Sequence, residues 1–299
     1  MLSQPIEIHI VPEDVSKVRF SDYACGIFEA LPTRKSVKKA IRSGLLKIDG
    51  KEAETGRWMI SGMQIELYRE EQSSQKILPV KLNVVYEDDY LAVVHKSPGI
   101  SVSGNYFYTI EHSLPYNLKV CDLPTALAHP LPVHRLDNPT EGLLLVAKER
   151  IARIELGKMF EEKSIQKTYQ ALAMGFVPDE GVVNFPIENQ ESVTVYKTRE
   201  RCHSLRNGFL SLVELKPQTG RTHQIRIHLS TLGFPILGDK LYGTKGNVLL
   251  KNGLFLFASG LEFIHPVSRE HMTLGLPVPD SYFKRMENEE RRWKKYHSI

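Results

Sequence analysis

Leu143-Leu144-Leu145-Val146-Ala147 is an unbroken apolar run bounded by Gly142 and Lys148. The run is too short to make a self-standing helix and reads as a buried strand. Directly ahead of it lies His134-Arg135-Leu136-Asp137-Asn138-Pro139-Thr140-Glu141, a polar stretch rich in turn formers. Asp137 is therefore expected at the mouth of a rigid element. A strand there fixes the position of the side chain and a loop exposes it, which suits a nucleophile or base. Most aspartates in turns simply accept backbone N–H groups, so the rest of the chain has to separate the two readings.

A chain of 299 residues has room for one large domain and a small one. The formal net charge of +4 fits a polyanionic partner without singling one out. Cys25, Cys121 and Cys202 match no metal-ligand spacing, and scattered thiols suit a reducing compartment. No apolar run is long enough to cross a bilayer, and Met1-Leu2-Ser3-Gln4-Pro5 lacks the start of a secretory signal, so a cytoplasmic location is expected. A Gly-rich phosphate loop, a His-Glu-x-x-His pair and a dinucleotide fingerprint are all missing.

In the first 67 residues, Ile6, Ile8 and Ile10 alternate with polar neighbours as in a short strand. Thr33 is placed to cap a helix carrying Val37, Ala40 and Ile41 on one face, with Gly44 ending it. Asp49-Gly50 is a tight-turn signal, and Gln64–Leu67 alternates as a closing strand. The polar face of that helix holds Arg34, Lys35, Lys38, Lys39 and Arg42 without acids at i,i+4 spacing. Such a face is either simply solvated or turned toward phosphates. The polar segment 68–80 reads as a linker, which divides the chain into 1–67 and 81–299.

Beyond the linker, Tyr90–Val94 reads as a strand followed by the turn His95-Lys96-Ser97-Pro98-Gly99. Helical spacing covers 151–162, and Lys167–Ala173 alternates as a strand. The segment 176–207 reads as loop-rich, with Lys197, Arg199, Arg201 and Arg206 either solvated or facing a polyanionic partner. A further strand covers Phe209–Leu215. Thr222 is then a candidate cap for a helix through Ile225, Leu229 and Leu232, ended by Gly233 and Pro235. Arg221 stands just ahead of that helix. Tyr106, Phe107, Tyr108 and Tyr116 either stack on bases or fill a core.

The pattern His-Arg-Leu-Asp, two free positions, Thr, x, Gly-Leu-Leu-Leu-x-Ala-Lys closely resembles the signature of the RluA family of RNA pseudouridine synthases. The blocks Pro217–Leu229 and Gly233–Gly243 are similar to the same family. This resemblance implies an α+β catalytic domain built on a mixed, largely antiparallel sheet. It implies Asp137 as the nucleophile, Tyr169 in the active site, and Arg221 in contact with the aspartate. Arg135, next to the motif, is a candidate to fill the place of an extruded uridine or to contact the flanking phosphate. Lys96 would approach the site or brace its loop. The chain departs from the family pattern at Glu141 (usually Ser), Ser97 (usually Pro) and Ser103-Gly104 (commonly His-Pro). The first 67 residues resemble a small alpha-L-type α/β RNA-binding domain, first seen in a small-subunit ribosomal protein.

Pseudouridine formation breaks the N1–C1′ bond of a uridine and rejoins the ribose through C5. It needs a carboxylate near the anomeric carbon, a cation holding that carboxylate ionised, a flat apolar partner for the uracil and a base for the C5 proton. A cation within a few ångströms lowers a carboxylate pKa by about 1–3 units. The expectation is a monomeric enzyme acting on ribosomal or transfer RNA, without cofactor, metal or membrane. The alternative is a non-catalytic RNA-binding or assembly factor on the same scaffold. A glycosidase would need a second carboxylate opposite Asp137, with Glu141 the sole nearby candidate. The kinase motif His-Arg-Asp is out of register by one residue.

Overall fold

A computed structural model of the chain describes residues 4–15, 17–68, 76–243 and 253–297. A four-stranded sheet in the order β1-β4-β2-β3 is built from β1 (Glu7–Ile10), β2 (Leu46–Ile48), β3 (Lys51–Glu52) and β4 (Gln64–Leu67), together with helices α1 (Phe20–Tyr23) and α2 (Arg34–Arg42). Asp49 and Gly50 both have positive φ, 51° and 75°, and join β2 to β3 with Ile48 opposite Lys51. Those are the angles that a two-residue hairpin turn requires. Thr33 caps α2 through a reciprocal pair with Ser36, and Val37 and Ala40 turn into a core with Phe20, Leu46, Ile48 and Ile65. The alternation at Ile6–Ile10 does mark a strand, but Ile8 and Ile10 face outward. Among the described strands β1 pairs only with β4, and its inward His9 bonds the Tyr23 hydroxyl at 2.9 Å.

The large unit comprises β5 (Asn83–Glu87), β6 (Leu91–Lys96), α3 (Ile110–Asn117), β7 (Ala126–Pro132), β8 (Glu141–Glu149), α4 (Arg150–Glu161), β9 (Gln166–Met174), β10 (Glu180–Val183), β11 (Thr194–Ser204), β12 (Gly208–Pro217), α5 (Gln224–Thr231), β13 (Leu256–Ile264), β14 (His271–Gly275) and α6 (Asp280–His297). Its sheet runs β10-β11-β12-β9-β13-β8-β6-β5, with β14 on β13 and β7 on β8. Among the described strands only β8 and β13 pair in parallel, which makes the sheet mixed and largely antiparallel.

The apolar run is β8, and Leu143 to Ala147 are fully buried. Leu144 and Val146 enter one core, while Leu143, Leu145 and Ala147 enter another on the opposite face. A strand covered on both faces has no solvent side, which is why its sequence does not alternate. Each buried leucine contributes about 1.5–3 kcal/mol. At the start of β8 only glycine fits. Gly142 has φ +130°, and a Cβ there would collide with the Ala258 backbone, whose nitrogen would lie 2.6 Å away.

Segment 176–207 is not loop-rich. It contains β11, whose Tyr196 and Cys202 are buried while Arg199 and Arg201 lie outward and pair with Glu214 and Asp179. Charged residues on the outer face hid the alternation of a half-covered strand. Residues 69–75 of the expected linker lie outside the described residues. Leu78 is buried in the large unit, and its N–H bonds the His112 carbonyl at 2.9 Å. No helix among the described residues is long and apolar enough to cross a membrane.

Candidate active site

Three segments converge at one end of β8, β9 and β13. Ala258 on β13 pairs with Gly142 of β8 on one side and with Tyr169 of β9 on the other. The turn carrying Asp137 thus comes close to Tyr169, although 32 residues separate them in sequence. The turn closes with Thr140 N–H donating to the Asp137 carbonyl at 3.0 Å.

Lys96 at the end of β6 is fully buried, and its Nζ donates to the carbonyls of Ser97, Asn138 and Thr140 at 3.1, 3.0 and 2.7 Å. The lysine therefore braces the loop from beneath. Burial pulls its ammonium down to about 8, against the opposing pull of the Asp137 and Glu141 carboxylates. Glu141 Oε1 accepts from His95 Nε2 at 3.0 Å.

The cation on Asp137 is Arg226, not Arg221. Arg226 Nη1 lies 3.1 Å from Asp137 Oδ2, while its Nε and Nη2 hold Asp239 at 2.8 and 2.9 Å. The side chain of Arg221 donates from Nε to the Glu191 carbonyl at 3.1 Å. The helix begins later than Thr222 suggested, and this accounts for the exchange. The position before α5 is His223, in the left-handed region at φ 55°, with no side-chain cap. Gln224 turns back instead. Its Oε1 accepts from Arg221 N–H at 3.0 Å and from the Thr219 hydroxyl at 2.7 Å. Arg221 is held in the preceding turn, and Arg226 is carried inward on the first turn of α5, on the same face as His223.

Burial by itself would raise the Asp239 carboxyl. The Arg226 bonds and the N–H groups of Tyr242 and Leu241 outweigh it and hold the group below the usual carboxylate range. Burial likewise disfavours the Arg226 charge, but its bonds to Asp239 and Asp137 prevail and raise its pKa. His223 Nε2 lies 3.7 Å from Asp137 Oδ2, and its Nδ1 meets the Tyr242 hydroxyl at 2.9 Å. The Tyr242 ring in turn lies 5.1 Å from the Arg226 guanidinium, within cation–π range.

A cavity of about 270 Å³ contains Asp137, Tyr169, Lys167, Arg221 and Arg226 in its lining. Burial, and after it the Asp137 carboxylate, raise the Tyr169 phenol, which stays protonated at neutral pH. Lys167 lies two positions before Tyr169, on the same face of β9, and burial lowers its pKa. Arg135 is exposed and lines the same cavity. Arg34 is tied to Asp22 at 2.8 Å, whereas Lys35, Lys38, Lys39 and Arg42 are exposed. Among the described residues no cluster of three or more His, Cys, Asp or Glu is able to hold a metal ion.

The motif that precedes β8 also supplies a pH-sensitive support. His134 stacks on Phe160 with ring centroids 4.8 Å apart, and its Nε2 accepts the Leu145 N–H at 3.0 Å. Burial, helped by the nearby Lys167 charge, brings its pKa down to about 4 from an ordinary 6.5. Between those values the unfolded chain binds more protons, so stability falls as the pH drops through that window, by up to about 3 kcal/mol. Thermal unfolding at pH 7 and pH 4 is expected to show a smaller difference for His134→Gln than for the unaltered chain. An identical pH dependence in both would contradict this.

Arg226, His223, Asp239 and Tyr242 were not singled out by sequence reasoning. The i,i+3 spacing of His223 and Arg226 was a usable signal, since it puts two polar groups on one helix face.

The chain matches the family model for RNA pseudouridylate synthase over residues 90–231. Ribosomal large subunit pseudouridine synthase C of Buchnera aphidicola subsp. Schizaphis graminum is 31% identical to it over 310 residues, spanning 95% of this chain and 97% of that protein. The tRNA pseudouridine synthase C of Vibrio parahaemolyticus is 31% identical over 243 residues, spanning 71% and 98%. Among solved structures, human RNA Pseudouridylate Synthase Domain Containing 4 superposes with a TM-score of 0.57 at 25% identity, covering 70% of this chain and 93% of that one.

Proposed function

Because this chain belongs to the RluA-type family of RNA pseudouridine synthases, we propose that Asp137 is the nucleophile of a cofactor-free isomerisation of uridine in ribosomal or transfer RNA. The chain is an isomerase acting on RNA uridines. The N1–C1′ bond breaks, a C5–C1′ bond forms, the C5 proton leaves and N1 regains a proton. Reactant and product have the same composition and oxidation level. The reaction therefore asks for a carboxylate, a proton route and a shaped cavity.

The observation that carries this reading is the Asp137–Arg226 contact of 3.1 Å inside the cavity that Tyr169 also lines. Arg226 donates to the carboxylate at 3.1 Å and aims it. Tyr169 packs its ring on the uracil, and its phenol remains a proton donor or acceptor at the ring edge. The uridine reaches this cavity only by leaving its stack, and Arg135 at the rim fills or braces the vacated place. Residues 1–67 form the RNA-binding domain and 81–299 the catalytic domain, into whose core Leu78 at the end of the expected linker 68–80 already packs, and the protein acts as a monomer.

The test is to map pseudouridine in ribosomal and transfer RNA from cells with and without the protein. At least one modified position is expected to disappear with the protein, and identical maps would refute the reading. The exposed Lys35, Lys38, Lys39 and Arg42 on α2 bear on affinity. Replacing all four by Gln is expected to weaken binding to such an RNA and to flatten its salt dependence, with a log–log slope smaller by up to about 3. An unchanged slope from titrations across salt concentrations would exclude α2 from the phosphate contacts.

A further inference from the structure

A second cavity, of about 950 Å³, lies on the other side of the Asp137 turn. Arg135, Leu136, Asp137, His223 and Arg226 line both cavities and form the wall between them. The far side of the larger one is made by the loop through Ser101–Tyr106 and by Gly238–Leu241. Its size falls within the ordinary range for small-ligand sites.

Two features of its far side leave surface open to a ligand. Tyr106 leaves 54% of its surface open, so it is no core residue. Its hydroxyl donates to Ser101 Oγ at 2.6 Å, and the same oxygen accepts from Asn138 Nδ2 at 3.0 Å, which ties the ring to the residue after Asp137. The ring lies over Gly104, where a Cβ would come within 3.0 Å of it. This is the position at which the family commonly carries Pro, so the seat of the ring belongs to this chain's own Ser103-Gly104. The second feature is Lys240, exposed and without an ion pair among the described residues. Its neighbour Asp239 anchors Arg226, which ties the lysine to the site through one peptide bond.

An aromatic face held beside the reacting aspartate, with unpaired cations at Lys240 and Arg135, matches a flat base attached to a phosphate. We propose that the larger cavity binds the nucleotide adjacent to the target uridine, its base stacked on Tyr106 and its phosphate at Lys240 and Arg135. This rests on the reading of the smaller cavity as the uridine site. Base–aromatic stacking tolerates any base, so the subsite tightens binding without fixing the neighbour's identity.

The test uses RNA hairpins with one C5-tritiated uridine in a single-stranded loop. One is intact, and two carry an abasic residue on either side of that uridine. Binding is read by fluorescence anisotropy and conversion by tritium release. Tyr106→Ala is expected to weaken binding of the intact hairpin roughly tenfold. Tyr106→Phe, which keeps the ring, stays within about twofold of the unaltered chain. One of the two abasic hairpins should bind the unaltered chain roughly tenfold less well and should lose nothing further with Tyr106→Ala. Lys240→Gln is expected to reduce the salt slope by about 0.7.

Equal binding by the Ala and unaltered proteins would overturn the proposal, as would Tyr106→Ala and the abasic site weakening binding additively. The two readings separate cleanly. Binding that depends on Tyr106 without tritium release would sink the proposed chemistry alone. Tritium release accompanied by binding that is indifferent to Tyr106 would sink the subsite alone.

Discussion

Asp137→Asn is expected to lower pseudouridine formation by about 10⁴-fold or more while leaving the protein folded. The amide has the size of the carboxyl and keeps an oxygen for the Arg226 Nη1 contact, now 3.1 Å from Asp137 Oδ2. It lacks the negative charge and the nucleophilicity that bond breaking at C1′ requires. The fold has little reason to change. Arg226 retains its two bonds to Asp239, and the turn is held by Lys96 through carbonyls that the substitution does not touch. Tritium release from C5-labelled RNA measures the first effect, and thermal unfolding the second. A folded Asn variant with near-normal turnover would remove Asp137 from the chemistry and favour a different carboxylate.

Arg226→Met is the substitution expected to damage both stability and activity. It leaves Asp239, whose side chain has no exposed surface, without its cation. Breaking a buried pair from one side costs about 3–5 kcal/mol, because the remaining charge is stranded. Arg226→Lys should recover part of this, since a single ammonium is unable to span both carboxylates as a planar fork does. Arg221→Met removes one side-chain bond to the Glu191 carbonyl and should cost about 1 kcal/mol.

A double variant separates structure from chemistry. Arg226→Met with Asp239→Asn neutralises the stranded charge and keeps an acceptor for the Leu241 and Tyr242 N–H groups, now at 2.9 and 3.1 Å. Its thermal midpoint is expected to rise well above that of Arg226→Met, while turnover stays low because Asp137 still lacks its partner. If Arg221→Met proved as damaging as Arg226→Met in both measurements, the ion pair seen here would not be the one that matters.

Local signals in the sequence were sufficient wherever the physics is local. The Asp49-Gly50 hairpin, the Thr33 cap, the apolar run of β8 and the α2 basic face depend on neighbours within a few residues. The Asp137 turn was legible for the same reason, since a polar turn and a buried strand meet within one short segment. β11 was missed because its outward charges are balanced by Glu214 and Asp179, residues far away in sequence. The direction of Ile8 and Ile10 was equally out of reach, as alternation reveals a strand but not which of its faces is covered.

The amino-acid order by itself determined that a carboxylate would stand at the entrance to a core strand, and that Arg221 would stand just ahead of a helix start; its pairing with the carboxylate came from the family resemblance. Only the folded chain decided which arginine pairs with that carboxylate. Arg221 and Arg226 have the same side chain and lie five residues apart, and no property of either one distinguishes them. Gln224 turns back onto Thr219 and the Arg221 N–H, His223 enters the left-handed region, and α5 starts there. Its first turn carries Arg226 to two carboxylates supplied by distant segments. A guanidinium goes where its burial is compensated, and that compensation exists only once Asp137 and Asp239 have been brought together.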